Sequence, residues 1–172
     1  MPINKNIILI GFMGAGKSVV ARKLADLLKR NLVSTDELIV QREGRAINDI
    51  FKDSGEPYFR KVEKAVVAEV SQKDHQVIDC GGGVILDPDN VANLKEKGII
   101  FYLAASPEVI YERVKNQRHR PLLKGENPRT KIEELLNSRQ SRYQTAAHHT
   151  IDTSNKTIEQ VVNEIQRLMP HV

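Results

Sequence analysis

The chain has 172 residues, of which 40% are hydrophobic and 28% charged, with a formal net charge of +4. That length suggests one domain with a real core, and that balance excludes a disordered or fibrous chain. The one cysteine, Cys80, excludes an internal disulfide and fits a reducing compartment. No segment approaches the roughly 18 apolar residues of a membrane span. Residues 1–5 hold no apolar leader segment separate from the first strand, so the expected location is the cytoplasm. Much of the basic excess falls in residues 113–129, with no interleaved aromatic residues to stack bases. A phosphate-handling pocket is therefore expected, with small molecules as partners and neither nucleic acid nor membrane. No long exposed apolar stripe asks for a second subunit, so a monomer is expected.

In chain order, the apolar run 7–10 predicts a buried strand. Residues 11–18, Gly-Phe-Met-Gly-Ala-Gly-Lys-Ser, fit the spacing G-x-x-x-x-G-K-[ST]. An amphipathic stretch, 19–29, follows with Val20, Leu24, Leu27 and Leu28 on one face. Strand, loop and helix in that order are the context a phosphate-binding loop requires. Its glycines let successive backbone N–H groups converge on one anion, and the helix adds its positive N-terminal end. Lys17 can then reach the β- and γ-phosphates, and the Ser18 hydroxyl can hold magnesium. Residues 31–34 read as a short second strand, with Asp36 at a helix start. Residues 47–52 and 58–71 read as helices separated by a turn at 54–57. A third strand, 77–80, ends in Gly81-Gly82-Gly83. Asp87-Pro88-Asp89 starts a helix, 99–103 is a fourth strand, and Ser106-Pro107 opens the next helix. Residues 119–128 hold two prolines, a glycine and several charges, and read as a mobile loop. A helix over 131–143, a fifth strand at 150–152 and a terminal helix at 157–168 complete the chain. This alternation implies a single α/β domain, with helices on both faces of a parallel sheet. Ligands on such sheets sit beyond the carboxyl ends of the strands. The loop 11–18, the segment 34–36 and the turn 81–83 therefore share one rim.

Phosphoryl transfer is mostly positioning plus charge neutralisation, so the rim should offer a metal site, cations and a group for an acceptor hydroxyl. Asp36 can hold that hydroxyl and take its proton late in transfer, or cap a helix, or do both. Asp79, at a strand end, reads as a second metal-organising acid or as a carboxylate bonded to nearby backbone. Gly81-Gly82-Gly83 permits close approach of backbone to ligand, or is a flexible turn. Arg60 can bind a carboxylate through two parallel hydrogen bonds, with Glu63 three residues on to fix it; the alternative is a solvated ion pair. Arg118, His119 and Arg120 in the mobile loop either close an arginine over the γ-phosphate or form an exposed basic loop. His75, His119, His148, His149 and His171 show no metal-ligand spacing, and zinc is not indicated. The pair His148-His149 reads as a helix end, and Cys80 as a small strand residue.

Taken together, these residues resemble the shikimate kinase family, within the nucleoside-monophosphate-kinase-like group of phosphate-loop proteins. The resemblance rests on G-F-M-G-A-G-K-S at 11–18, Asp36, G-E-x-x-F-R-x-x-E at 55–63 and G-G-G at 81–83. It continues through R-P-L-L at 120–123, R-x-x-x-Y at 139–143 and Ile151-Asp152-Thr153. It implies a three-layer α/β/α phosphate-loop kinase fold over residues 1–172, with a five-stranded parallel sheet in the order 2-3-1-4-5. A lid near 117–128 and a substrate-binding region near 36–63 come with it. The implied reaction is ATP-dependent phosphorylation of the 3-hydroxyl of shikimate. By similarity Asp36 holds that hydroxyl and acts as base, and Arg60, Arg139, Gly81 and Gly82 bind shikimate. Gly14, Ala15, Gly16, Lys17, Ser18 and Val19 bind ATP, with Arg113 and Ser154 near the adenine and Arg120 bridging to the transferring phosphate. Ser18 ligates Mg2+. Most members carry an acid where this chain has Ser34, and Asp79 is the expected substitute. Cys80 stands where Ser or Thr is common. A kinase for gluconate or a nucleoside monophosphate, and a non-catalytic nucleotide-binding homologue, are the alternatives.

Overall fold

Five short segments pair side by side, all parallel, in the order β2-β3-β1-β4-β5. They are β1 (Asn6–Ile10), β2 (Asn31–Ser34), β3 (Gln76–Asp79), β4 (Gly98–Ala104) and β5 (His149–Asp152). The computed structural model describes residues 4–117 and 124–170. Every residue of β1 and β3 is buried, as expected of strands covered on both faces. Side chains alternate across the sheet. Ile8, Ile10, Ile78, Ile100 and Tyr102 therefore point into one apolar cluster, and Ile7, Leu9, Val77, Phe101 and Leu103 into the other.

The second cluster is covered by α1 (Lys17–Leu28), through Val20 and Leu24, and by α8 (Ile158–Leu168), through Val161 and Ile165. The first lies under α2 (Thr35–Glu43), α3 (Ile47–Ser54), α4 (Glu56–Ser71), α5 (Pro88–Lys97), α6 (Pro107–Val114) and α7 (Pro128–Ala146). Three layers result. The register sets Ser34 of β2 beside Asp79 of β3, and Asp79 beside Leu9 of β1. Those carboxyl ends form the rim anticipated from the sequence.

Element boundaries differ from expectation for local reasons. Helix α1 starts at Lys17, two residues early, because Gly16 in the left-handed region (φ 90°) carries the chain directly into it. The turn expected at 54–57 shrinks to Gly55 (φ 82°), and Pro57 sits in the first turn of α4, where a missing N–H costs nothing. Strand β3 ends at Asp79, leaving Cys80 buried just beyond it. A 3-10 turn at Val84–Leu86 follows the glycines. The pair His148-His149 is not a helix end: His149 belongs to β5 and stacks on Phe101 at 5.3 Å, while His148 Nδ1 accepts from Ile100 N at 2.9 Å. Of the expected mobile loop, residues 119–123 lie outside the described residues, and α7 begins at Pro128, three residues earlier than predicted.

Ser34 caps α2: its Oγ accepts from Glu37 N at 3.2 Å. That hydrogen bond satisfies one of the unpaired donors of the first turn, the turn that carries Asp36. Ser34→Ala is expected to lower the unfolding free energy by about 1 kcal/mol, read as a smaller urea midpoint at unchanged slope.

Candidate active site

The loop between β1 and α1 curls with Gly14 (φ 73°) and Gly16 (φ 90°) in the left-handed region. Lys17 Nζ folds back over it, donating to the carbonyls of Gly11 (2.8 Å) and Phe12 (3.0 Å). Ser18 Oγ donates to Asp79 Oδ2 at 2.6 Å, joining the start of α1 to the end of β3. Burial pushes the Asp79 carboxyl above its usual range; the Ser18 hydrogen bond and the Lys17 charge oppose this, and Glu37 adds to it. Among the described residues no group of three or more His, Cys, Asp or Glu stands close enough to hold a metal. The Ser18–Asp79 pair offers two hard oxygen donors, which suits a magnesium ion that keeps waters and phosphate oxygens as its other ligands.

Arg113, on α6, donates to the carbonyl of Gly14 (3.1 Å) and to both the hydroxyl (3.2 Å) and the carbonyl (3.1 Å) of Thr153. It thus fastens the glycine loop to the segment after β5.

Two cavities open on this rim. One, of about 560 Å³, is lined by Gly14, Gly16, Lys17, Ser18, Val19 and Arg113, with Asp79 and Gln117 at its sides. The other, of about 600 Å³, is lined by Arg60, Glu63 and Arg139, with an apolar wall of Ile47, Phe51, Phe59 and Leu135. Both are lined by Met13, Asp36, Gly81 and Gly82. Asp36 therefore stands on the partition between them.

The partition is tight. A Cβ on Gly81 would lie 2.6 Å from Asp36 Oδ1, and one on Gly83 would overlap the Arg60 guanidinium. A side chain at either position would push Asp36 or Arg60 aside. Gly81 N donates to Thr35 Oγ1 at 3.0 Å, and the carbonyl of Gly82 accepts from the Tyr143 hydroxyl. Burial pushes that phenol up to about 12.

Arg60 Nη1 donates to Glu63 Oε1 at 2.9 Å, as the i, i+3 spacing predicts, while Nε and Nη2 both donate to Glu56 Oε1 at 3.2 and 3.1 Å. The Glu63 side chain is only 1% exposed and that of Glu56 is 56% exposed. Burial pushes the Glu63 carboxyl up, and Arg60 opposes the shift.

Not every expected residue meets here. Ala15 is buried beneath the loop and does not line the first cavity. Ser154 accepts from Ser106 N at 3.1 Å and lines a separate shallow depression with Ser106 and Asp152. Arg120 lies outside the described residues. Conversely, Asn48, Phe51, Lys52, Glu56 and Phe59 line the second cavity and Gln117 the first; they fall within the expected substrate-binding region and lid, but the sequence singles none of them out as a site residue. Phe51 and Phe59 stack across α3 and α4 with ring centroids 4.6 Å apart. Their spacing is that of an ordinary core stripe, and only the fold shows that it walls a cavity.

The family model for shikimate kinase matches residues 13–170. A shikimate kinase of Caldanaerobacter subterraneus subsp. tengcongensis is 45% identical, with 95% of each chain covered. One from Dehalococcoides mccartyi is 44% identical, covering 96% of this chain and 94% of its own. Among solved structures, shikimate kinase from Acinetobacter baumannii in complex with shikimate superposes with a TM-score of 0.91 at 38% identity, covering 96% of this chain and 92% of that one. The Aquifex aeolicus enzyme gives 0.81 at 36% identity, with 94% of each chain covered.

Cys80, between Asp79 and Gly81, is fully enclosed, and burial pushes its thiol well above the ordinary range. The thiolate is the reactive form. Iodoacetamide at pH 8 is therefore expected to leave the folded protein unlabelled and to modify Cys80 once it is unfolded; rapid labelling of the native state by intact-mass measurement would contradict this burial.

Proposed function

The chain belongs to the shikimate kinase family, and we propose that it transfers the γ-phosphoryl group of ATP to the 3-hydroxyl of shikimate, giving ADP and shikimate 3-phosphate. The observation that carries this reading is the position of Asp36 on the wall shared by two cavities. One cavity has the glycine loop and lysine of a triphosphate site, and the other has paired guanidinium groups and an apolar wall. A carboxylate between a phosphate donor and a hydroxylated acid is where a proton acceptor is needed.

In this reading the backbone N–H groups of Gly14 and Gly16, with Lys17, neutralise the phosphates, and Val19 closes one side of the donor cavity. Releasing the Lys17 ammonium from the carbonyls of Gly11 and Phe12 frees it to follow the γ-phosphate. Asp36 orients the acceptor hydroxyl and takes its proton as the new P–O bond forms. Arg60, from α4, and Arg139, from α7, hold the shikimate carboxylate, while the backbone of Gly81 and Gly82 sets the ring's distance from Asp36. Arg113, which lines the donor cavity, flanks the adenine, and the resemblance assigns Arg120 to the transferring phosphate. Ser18 with Asp79 would hold Mg2+, which would supply positive charge to the phosphates. The protein acts as a cytoplasmic monomer on these small molecules, an environment in which a free thiol such as Cys80 persists.

ATP consumption measured with shikimate, gluconate, AMP or no acceptor tests the reading: turnover should require shikimate, and its absence with shikimate overturns the assignment. Asp36→Asn should lower kcat by orders of magnitude, roughly the 10²–10⁴-fold typical of a lost general base, while ATP still binds. Asp79→Asn should raise the Mg2+ concentration needed for half-maximal rate and weaken Mn2+ binding to the ADP complex, followed by electron paramagnetic resonance. Unchanged values in both measurements would take Asp79 out of the metal site.

A further inference from the structure

Arg60 already carries two carboxylates. Glu63 meets Nη1, and Glu56 Oε1 sits against the edge formed by Nε and Nη2, the edge through which a guanidinium grips a carboxylate side-on. The two partners differ in kind. Glu63 is buried, so parting it from Arg60 would strand a charge away from water, at high cost. Glu56 lies in the first turn of α4 with its side chain more than half exposed, and it lines the acceptor cavity. An exposed ion pair of this kind contributes only about 0–1 kcal/mol and opens easily. Released, the Glu56 carboxylate is hydrated and still favoured by the N-terminal end of α4.

We propose that Glu56 is a resident counter-carboxylate, which occupies the side-on edge of Arg60 and competes with the carboxylate of the incoming substrate for it. The inference rests on the reading of Arg60 as the carboxylate-binding residue. With Glu63 on Nη1 and Glu56 on Nε and Nη2, Arg60 has no side-on edge left, so another carboxylate reaches that edge only as one of the two leaves, and Glu56 is the one that can. A neutral polyol gains nothing from displacing it. A compact carboxylate replaces one charge-assisted contact with another and keeps its remaining contacts as net affinity. Glu56 thereby selects for anionic acceptors while weakening the affinity of the correct one.

Calorimetric titration of shikimate, and of its uncharged methyl ester, into the full chain and its Glu56→Gln and Glu56→Ala variants tests this. Both variants should bind shikimate about two- to fivefold more tightly, the worth of an exposed ion pair, with no gain for the ester. The gain should appear in the KM for shikimate rather than in kcat. Equal or weaker shikimate binding by both variants would overturn the proposal and leave Glu56 as a brace that merely orients Arg60. Absence of any shikimate binding or turnover in the unaltered protein would remove the functional reading, and this inference with it.

Discussion

The parallel register of β2, β3 and β1 is the constraint from which the site follows. It fixes Ser34, Asp79 and Leu9 side by side, so the three loops that leave those strands emerge together. The glycine loop, the first turn of α2 and the Gly81–Gly83 passage then share one volume without any long connection to guide them. The Ser18–Asp79 hydrogen bond adds a cross-link between the loop of one strand and the end of the next. Because β1 and β3 are buried on both faces, a slip in their pairing would move hydrophobic side chains between layers and is strongly disfavoured. A stable core and a placed active site are here one requirement.

Charge is organised by the same crowding. The passage after β3 runs so near Asp36 and Arg60 that a side chain at Gly81 or Gly83 would push one of them aside. An acid and a base are thus held on either side of one backbone strip, separated rather than paired with each other. Arg60 finds its counter-charge in Glu63 and Glu56, on its own helix. The i, i+3 and i, i+4 spacing along α4 supplies Arg60 with both of these partners from its own helix.

Much of this was legible in the residues. Glycines, lysine and serine at fixed spacing after an apolar run identify the phosphate loop because few other demands call for them together. Asp36 was legible as a helix-start residue, and Glu63 as the partner of Arg60, because both depend on contacts within a turn or two of chain. The apolar wall was not. Phe51 and Phe59 satisfy the same periodicity whether they fill a core or line a cavity, and the difference is made by α3, a helix whose inner face is only partly covered. Glu56 was read as part of a turn because Gly55 and Pro57 flank it, yet Pro57 is what allows α4 to begin there. The histidine pair failed for a similar reason. Adjacent polar residues after a helix look like its frayed end, and only pairing with β4 shows them entering a strand.

Ser34 shows how one substitution redistributes work. An aspartate can cap a helix as well as serine can, with a second oxygen left to face the cavity. Serine has one oxygen, which accepts from Glu37 N and brings no charge to the cavity it lines. The cap on α2 is therefore kept while a negative charge is lost next to Asp79, its neighbour in the sheet. The Asp79 carboxyl is already pushed upward by burial and by Glu37, so a third carboxylate at position 34 would push it further. Its absence leaves Asp79 easier to ionise, and the hydroxyl of Ser18 favours the charged form directly. In the metal site proposed above, a chain with serine at position 34 would rely on the carboxylate of Asp79, which the register and the Ser18 hydrogen bond hold in place.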